Sequence, residues 1–270
     1  MEEYPESKSE EARTTDLAWT IVIPFKAGSK AKSRLARSTD GFVVQSDLRL
    51  QLANAFLLDT LAAATELNQV REVVVVSPNA EIDLGAKVHF VCDPGLGLNA
   101  AVAAGIGHAR SSYPLGSVAV LTSDLPCLLP HELDRALRQA EERDLAHVPD
   151  RAGTGTTLLT ASAGKPVAPK FGPQSSIRHG EAGHYPLRVP LTSGLRGDVD
   201  TLHDLAVARR RGLGPQTTGI LLTNPPLSQW LADLEDQSPP ASPASCLINT
   251  KLPAPFTPEE KNVQLVSLYP

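Results

Sequence analysis

Short runs of consecutive apolar residues recur along the first half of the chain. They are rich in Val and Ile and lie at residues 19–24, 73–76, 88–91 and 118–121. An apolar run of this length without polar alternation is typical of a strand covered on both faces. We therefore interpret the four segments as buried β-strands.

Between these runs, apolar residues recur at helical spacing. Residues 47–66 carry such positions at Leu48, Leu52, Phe56, Leu57, Leu61 and Ala64. Residues 99–110 are Ala-rich, residues 130–143 open with a proline as helices often do, and residues 201–211 form a last predicted helix. The alternation predicts an α/β fold, a three-layer αβα domain with a mostly parallel sheet and right-handed crossovers.

The pattern loosens in the second half of the chain. Residues 154–160 resemble a strand after a Gly-rich turn, and residues 165–176 resemble a loop. Nine of the 23 prolines follow Leu222. We expect a disordered leader at 1–18, one domain at 19–222 and a Pro-rich, largely disordered tail at 223–270, where only residues 227–234 could form a short helix.

Composition limits the possible functions. Hydrophobic residues make up 41% of the chain, enough for a core, while the net charge of -5 argues against nucleic-acid binding. Cys92, Cys127 and Cys246 show no metal-ligand spacing, and their odd number argues against a disulfide framework. No apolar run reaches the roughly 18 residues of a membrane span, and the acidic start is unlike a signal peptide. We expect a cytoplasmic protein without a membrane partner.

Carboxylates occur at two places that suit a hard cation. Asp124 lies three residues after the strand at 118–121, where open α/β sheets bind ligands, and Asp198 and Asp200 form a second cluster. Carboxylates brought to one sheet edge could hold a magnesium ion bound to phosphates. Two alternatives stay open: turn chemistry before Pro126, and helix initiation by Asp200.

A cationic loop follows the first strand. Lys26, Lys30, Lys32 and Arg34 fall within nine residues, at the place where doubly wound folds hold phosphate. The loop could neutralise a triphosphate, although its spacing fits neither a P-loop nor a dinucleotide-binding motif. The alternative is a solvated basic loop.

Three Gly-containing segments could approach a ligand through backbone N–H groups. Residues 93–101 run into a helix start, where Asn99 could contact a base or ribose, or could simply cap the helix. Residues 153–157 and 171–176 combine glycines with hydroxyl side chains, which suits a small phosphorylated acid but also ordinary turns. His179 and His184 fit no strong metal spacing, and we interpret them as surface histidines. The sequence has no Gly-x-Ser-x-Gly elbow, which argues against a Ser-His-Asp hydrolase.

The order of these motifs resembles a known family, the 2-phospho-L-lactate or phosphoenolpyruvate guanylyltransferases of coenzyme F-420 biosynthesis, which are related to the molybdenum-cofactor nucleotidyltransferases. The resemblance covers about residues 20–222. The matching segments are Lys26 with Lys32-Ser33-Arg34-Leu35, Leu98-Asn99-Ala100-Ala101, Ser123-Asp124-Leu125-Pro126, residues 150–156, residues 171–176, Arg178-His179 and residues 194–201.

The resemblance implies a single domain similar to nucleotide-diphospho-sugar transferases, with GTP as the donor and a small phosphorylated carboxylic acid as the acceptor. It implies that Asp124 and Asp198 hold Mg²⁺, and that Thr156, Gly172 and Ser175 bind the acid. Ser123 departs from the family, where we expect Gly, and could narrow the donor pocket.

Residue chemistry adds nucleotide-binding roles for Lys26, Lys32, Arg34 and Asn99, with Lys26 also predicted to be catalytic beside Asp124 and Asp198. The expected reaction is transfer of GMP to the acid with release of pyrophosphate, followed by hand-over of a labile product to the next enzyme of the pathway. Two other functions stay open: a CTP- or sugar-phosphate-dependent nucleotidyltransferase, and a catalytically silent nucleotide-binding partner. The choice of acceptor among phosphoenolpyruvate, 2-phospholactate and 3-phosphoglycerate also stays open.

Overall fold

The computed structural model describes residues 19–26, 32–78, 85–162 and 164–236. The predicted leader at 1–18 lies outside the described residues. The strands are β1 (Trp19–Pro24), β2 (Val70–Ser77), β3 (Val88–Cys92), β4 (Ser117–Leu121), β5 (Leu145–Pro149), β6 (Thr156–Ala161) and β7 (Tyr185–Pro186). The helices are α1 (Ser46–Thr65), α2 (Leu98–Ser112), α3 (Pro130–Glu141), α4 (Ser175–Glu181), α5 (Leu202–Arg211), α6 (Pro215–Leu222) and α7 (Pro225–Asp236), with short 3-10 helices at Ser33–Ala36 and Gly194–Arg196.

The strands form one sheet in the order β3-β2-β1-β4-β6-β5-β7. β1 is parallel to β2 and β4, β2 is parallel to β3, and β5 is parallel to β7. Only β6 runs antiparallel to its neighbours β4 and β5. The predicted mostly parallel sheet is confirmed, with β5 and β7 as additions that the apolar pattern did not reveal.

Helices cover both faces of the sheet. On β1, Ile21 and Ile23 pack in the cluster that contains α1 and α3, whereas Val22 packs with α2, because successive side chains of a strand point to opposite faces. The α2 backbone comes so close that a Cβ on Gly105 would lie 2.4 Å from Cγ1 of Val22. The three-layer αβα architecture is therefore confirmed.

Sheet direction places several segments at one edge. The carboxyl end of β4 lies beside the carboxyl end of parallel β1 and the amino end of antiparallel β6, with Leu121 opposite Leu158. β5, antiparallel to β6, ends at the same edge. Side chains that follow β1, β4 and β5, or that begin β6, can therefore meet there.

The packed domain reaches beyond its expected end at Leu222. α7 continues the chain, and Leu227 and Leu231, four positions apart, are buried in a cluster with Leu202 and Leu205 of α5. The indole of Trp230 stacks on Phe42 with ring centroids 5.0 Å apart. The boundary at Leu222 was thus too early, and the tail prediction after Asp236 lies outside the described residues.

None of the helices in the described part of the chain has the length and apolar character needed to cross a membrane. Cys127 is a buried free thiol and Cys92 an exposed one, while Cys246 is outside the described residues.

Candidate active site

Asp124 lies where the sequence predicts, just past β4. The Thr122 N–H donates to the Thr157 carbonyl at 3.0 Å, which continues the pairing with β6. The Leu125 N–H donates to Oγ1 of Thr60 in α1 at 3.2 Å, and Leu125 is fully buried. Asp124 is therefore held between two anchored neighbours at the carboxyl end of the sheet.

The second acidic segment lies directly against the first. The Val199 N–H donates to the Asp124 carbonyl at 3.0 Å. A Cβ on Gly194 would lie 2.0 Å from the Cys127 carbonyl oxygen, so only glycine permits this approach. These two contacts bring Asp198 beside Asp124, as the sequence analysis predicted.

Asp200 does not start the last helix. Thr201 is the N-cap of α5: its hydroxyl accepts from the Asp204 N–H at 3.2 Å, and the Asp204 carboxylate accepts from the Thr201 N–H at 2.8 Å. This reciprocal capping box satisfies the helix start. The alternative of helix initiation by Asp200 is therefore wrong, and the Asp200 carboxylate faces cations.

Lys32 joins the two acidic segments. Its Nζ donates to the carboxylate of Asp124 and, at 2.8 Å, to Oδ1 of Asp200. Burial alone lowers the pKa of Lys32, but the charges of Asp124 and Asp200 outweigh it, so the pKa lies above its usual value. Arg34 extends the network through a 3.3 Å contact with Oδ2 of Asp200.

Asp198 occupies the most unfavourable position for a negative charge. Burial, followed by the charges of Asp124, Asp150 and Asp200, raises its pKa to about 7. The sequence analysis missed Asp150 as a member of this acidic group, although it directly follows β5 and Asp124 comes three residues after β4. An acid at the end of a strand was the available signal.

The residues present suit a divalent cation. Oδ1 of Asp124 is buried and has no hydrogen-bond partner among the described residues. The raised pKa of Asp198 reflects burial first and then the repulsion of neighbouring carboxylates, and a bound cation would offset both. Within the described ranges, no group of three or more His, Cys, Asp or Glu side chains could hold a metal ion. Asp124 and Asp198 could therefore supply two oxygen ligands, and substrate or water oxygens would have to supply the others.

Two cavities meet at Asp124. The first cavity, of about 480 Å³, is lined by Lys26, Asp93, Gly95, Gly97, Ser123 and Ala101 among others. The second cavity, of about 590 Å³, is lined by Arg34, Asp150, Thr156, Gly172, Ser175 and Asp198 among others. Both share Lys32, Leu98, Thr122 and Asp124. Thr122 is a candidate ligand contact, because its buried Oγ1 has no hydrogen-bond partner in the described part of the chain. The sequence analysis missed this residue.

The predicted site residues thus divide between the two cavities. Lys26 lies in the wall of the first, while Thr156, Gly172 and Ser175 come together in the second. Arg34 was expected beside Lys26, but it lines the second cavity, next to Asp200. Residues 27–31 of the cationic loop, including Lys30, lie outside the described residues.

Comparison with known proteins identifies the family. A family model described as "Guanylyl transferase CofC like" matches residues 19–207. This chain belongs to the CofC-like guanylyl transferases. A phosphoenolpyruvate guanylyltransferase of Streptomyces coelicolor is 43% identical over 209 residues, covering 76% of this chain and 96% of that protein. A phosphoenolpyruvate guanylyltransferase of Streptomyces avermitilis is 44% identical, covering 74% and 93%.

Solved structures agree on the fold of this CofC-like protein. A putative nucleotide-diphospho-sugar transferase from Desulfovibrio desulfuricans G20 superposes with a TM-score of 0.60 at 20% identity, covering 79% of this chain and 97% of that one. The family resemblance and the nucleotide-diphospho-sugar-transferase-like fold inferred from the sequence are confirmed.

Asn99 of this CofC-like protein was expected either to contact a base or ribose or to cap a helix, but its side chain bonds to the backbone of another loop. Its Oδ1 accepts from the Phe171 N–H at 2.8 Å and its Nδ2 donates to the Phe171 carbonyl at 3.1 Å. The N-cap of α2 is Gly97, without a side-chain cap. The capping alternative is wrong, and Asn99 instead fastens the loop before α4 to the start of α2. That loop carries Gly172 and leads into Ser175, the first residue of α4.

The histidines are buried, which corrects the surface interpretation. His179 is 0% exposed and His184 3% exposed, and a third histidine, His147, is 2% exposed. The ring centroid of His179 lies 5.6 Å from that of His184 and 6.2 Å from that of His147. Desolvation lowers the pKa of His147 to about 4 and that of His179 to about 3, so these rings are neutral.

Proposed function

We propose that this protein transfers GMP from GTP to the phosphate group of phosphoenolpyruvate, with 2-phospho-L-lactate as the alternative acceptor, and releases pyrophosphate. The carrying observation is the pair of cavities that meet at Asp124 and share Lys32. Two anionic substrates can approach one acidic, cation-bridged centre, one from each cavity. Relatives named phosphoenolpyruvate guanylyltransferase support the choice of acceptor, and the family resemblance supports a place in coenzyme F-420 biosynthesis.

In this proposal the first cavity receives GTP. Lys26 and Lys32 face the phosphates, and the backbone around Gly95 and Gly97, both at positive φ, lies at the start of α2. Amide N–H groups at a helix start favour phosphate oxygens. Asn99 acts at a distance, since its amide holds the Phe171 backbone.

The second cavity then receives the phosphorylated acid. Thr156, Gly172 and Ser175 line it without adding charge, and Gly172 adopts a φ of 117° that a side chain would strain. Arg34 at its margin provides positive charge. An oxygen of the acceptor phosphate forms the new bond to the α-phosphorus of GTP while the bond to the bridging oxygen of the β-phosphate breaks. The attacking oxygen of the acceptor phosphate is already ionised near neutral pH, so no strong base is required.

Asp124 and Asp198 would hold Mg²⁺ between the two cavities. The ion supplies positive charge to the phosphates as negative charge shifts onto the pyrophosphate. Lys32 would exchange its contact with Asp124 for phosphate oxygens. The contacts of Asp200 with Lys32 and Arg34 would keep both cations near the site.

The test is a pyrophosphate-release assay on the purified full chain with Mg²⁺. GTP, CTP and UTP are each paired with phosphoenolpyruvate, 2-phospho-L-lactate and 3-phosphoglycerate, and the product is identified by its mass. We expect turnover with GTP and phosphoenolpyruvate. A preference for CTP or UTP would point to another nucleotidyltransferase, and GTP binding without pyrophosphate release for any acid would point to a silent nucleotide-binding protein.

Asp124→Asn tests the proposed centre directly. We expect turnover to fall by a factor on the order of a thousand, because a lost metal ligand removes several kcal/mol of charge stabilisation. Asp144→Asn is the matched control, since that carboxylate is exposed and pairs with Lys165. Circular dichroism and melting temperature check the fold. Near-normal turnover by a well-folded Asp124→Asn protein would contradict the role of Asp124.

Two further expectations stay predictions. One is the cytoplasmic location, and the other is transfer of the labile product to the next enzyme of the pathway.

A further inference from the structure

Both ring nitrogens of His179 are used by specific partners. The N–H of Lys170 donates to Nε2 at 3.0 Å. Nδ1 lies 2.9 Å from Oγ1 of Thr156. The ring is fully buried, and Phe171 packs edge-on against it with centroids 5.1 Å apart. His179 therefore links the loop before α4 to the first residue of β6.

The Lys170 contact determines where the histidine proton lies. A backbone N–H can only donate, so Nε2 must present its lone pair. In a neutral ring the other nitrogen then carries the hydrogen, and Nδ1–H donates to Thr156. Thr156 Oγ1 is the acceptor in that bond, so its own hydrogen remains to be donated elsewhere. Among the described residues no acceptor for this hydrogen is found, and Thr156 lines the second cavity.

We propose that His179 is a positioning residue that turns the Thr156 hydroxyl into a hydrogen-bond donor aimed into the second cavity, where it selects an anionic oxygen of the acceptor. The proposal rests on the proposed function, because it assumes that the second cavity binds the phosphorylated acid. A hydroxyl committed as a donor favours a carboxylate or phosphate oxygen and disfavours a group that must itself donate.

The surroundings of the ring keep the tautomer constant. Desolvation is the largest cause that lowers the pKa of His179, to about 3, and the nearby His184, His147, Arg178 and Lys170 act in the same direction. A protonated ring would also point a second N–H at the Lys170 N–H. The ring therefore stays neutral across the pH range in which an enzyme of this kind is assayed.

Two substitutions separate the two hydrogen bonds. The amide of Gln reaches about as far as Nε2, so His179→Gln keeps an acceptor for Lys170 and loses the donor to Thr156. The amide of Asn reaches about as far as Nδ1, so His179→Asn keeps that donor and loses the acceptor. We expect His179→Gln to raise KM for the acid about tenfold, the usual effect of weakening one hydrogen bond to a charged group, with KM for GTP unchanged. His179→Asn should recover most of the affinity for the acid.

His184→Gln is the matched control for damage to the histidine cluster. His184 is also buried, and its Nδ1 bonds to the Ala146 carbonyl at 3.2 Å instead of to a cavity residue. We expect its KM for the acid to equal that of the wild type. A rise as large as that of His179→Gln would mean that the cluster acts only through general packing, and would overturn the proposal.

Combining His179→Gln with Thr156→Val tests whether His179 acts through the Thr156 hydroxyl. If His179 acts through the Thr156 hydroxyl, Thr156→Val raises KM for the acid, and adding His179→Gln raises it no further. Multiplying effects in the double variant, or an unchanged KM in His179→Gln alone, would overturn the proposal. Absence of turnover by the wild-type protein with every acid would instead overturn the proposed function.

A spectroscopic measurement on the wild-type chain needs neither activity nor a folded variant. The ¹⁵N shifts of the His179 ring should report a neutral ring with hydrogen on Nδ1. A ring with hydrogen on Nε2, or one that titrates near neutral pH, would overturn the proposal independently of the reaction.

Discussion

Asp198 is the side chain of the site whose ionisation is opposed by its surroundings. Its pKa of about 7 lies far above the ordinary value of 3.8 because burial and three neighbouring carboxylates oppose ionisation. In the unfolded chain the carboxyl group ionises near its ordinary value. Between these two pKa values the folded protein binds a proton that the unfolded chain has lost, so the contribution of Asp198 to stability decreases as pH rises through this window.

Asp198→Asn should therefore stabilise the protein most at high pH. With a chelator present, we expect the melting temperature of the variant to match the wild type near pH 4, to exceed it increasingly up to about pH 7 and to level off above that pH. The difference in free energy of unfolding should grow by at most about 1.4 kcal/mol per pH unit within this window. Thermal unfolding at a series of pH values checks this. A pH-independent difference between the two proteins would contradict the raised pKa of Asp198.

The buried histidines act in the opposite direction. The folded pKa of His147, about 4, lies below its ordinary 6.5 because of burial, so its contribution to stability is present above pH 6.5 and is lost as pH falls towards 4. We expect His147→Gln to lose less stability than the wild type over this range, by up to about 1.4 kcal/mol per pH unit. Urea unfolding at several pH values measures the difference, and equal slopes for both proteins would contradict it.

For single residues, the sequence predicted where an acid such as Asp124 lies but not where the histidines lie. Asp124 could be predicted because a lone acid after an apolar strand has a fixed place at the sheet edge. His179 could not, because a histidine in a polar loop reads the same whether it is exposed or covered. Its burial is decided by Phe171 and by the hydrogen bonds to Lys170 and Thr156.

Among the elements, the strands β1 to β4 and β6 and the four longer predicted helices follow from local pattern, whereas β5, β7, α4 and α6 do not. The predicted helix at 201–211 is observed as Leu202–Arg211, one residue after the Thr201 cap. β5 contains His147 and ends in Pro149, and β7 has only two residues. Their pairing depends on neighbours distant in sequence, which a local pattern does not contain.

α7 is the element whose packing was underestimated. Leu231 is fully buried against the α5 cluster, so Leu231→Ala should destabilise the protein by about 2–5 kcal/mol through the lost contacts and the cavity. Leu222→Ala is the control, since Leu222 is 77% exposed, and it should change stability by less than about 0.5 kcal/mol. Denaturant unfolding compares them, and similar small effects would mean that α7 does not pack as described.

For the whole molecule, two truncations test where the folded unit ends. Every described residue that lines the two cavities lies between Pro24 and Asp200, so a chain ending at Asp236 should keep turnover and melting temperature. A chain ending at Leu222 loses Leu227, Trp230 and Leu231 and should melt at lower temperature. Equal stability of the two shortened chains would restore the domain boundary at Leu222.

The sheet order explains why the site could be anticipated only in part. Parallel pairing of β1 with β4 fits the position of Lys32, after the first strand in the chain, beside Asp124. Antiparallel β6 starts where β4 ends, which puts Thr156 at the same edge, and β5 delivers Asp150 there as well. An α/β alternation predicts the first arrangement, but the reversed strand is a property of this sheet and had to be observed.

The sequence by itself determined the αβα class, the central strands and the acids and cations at their ends, because each depends on short-range periodicity and on the direction of a strand. It also carried enough ordered motifs to indicate the family. Tertiary structure alone decided that Lys32 bridges two acidic segments, that Asp150 joins them, and that a buried histidine orients Thr156. These features depend on contacts between residues far apart in the chain, where burial and neighbouring charge, which no local pattern contains, determine what each side chain can do.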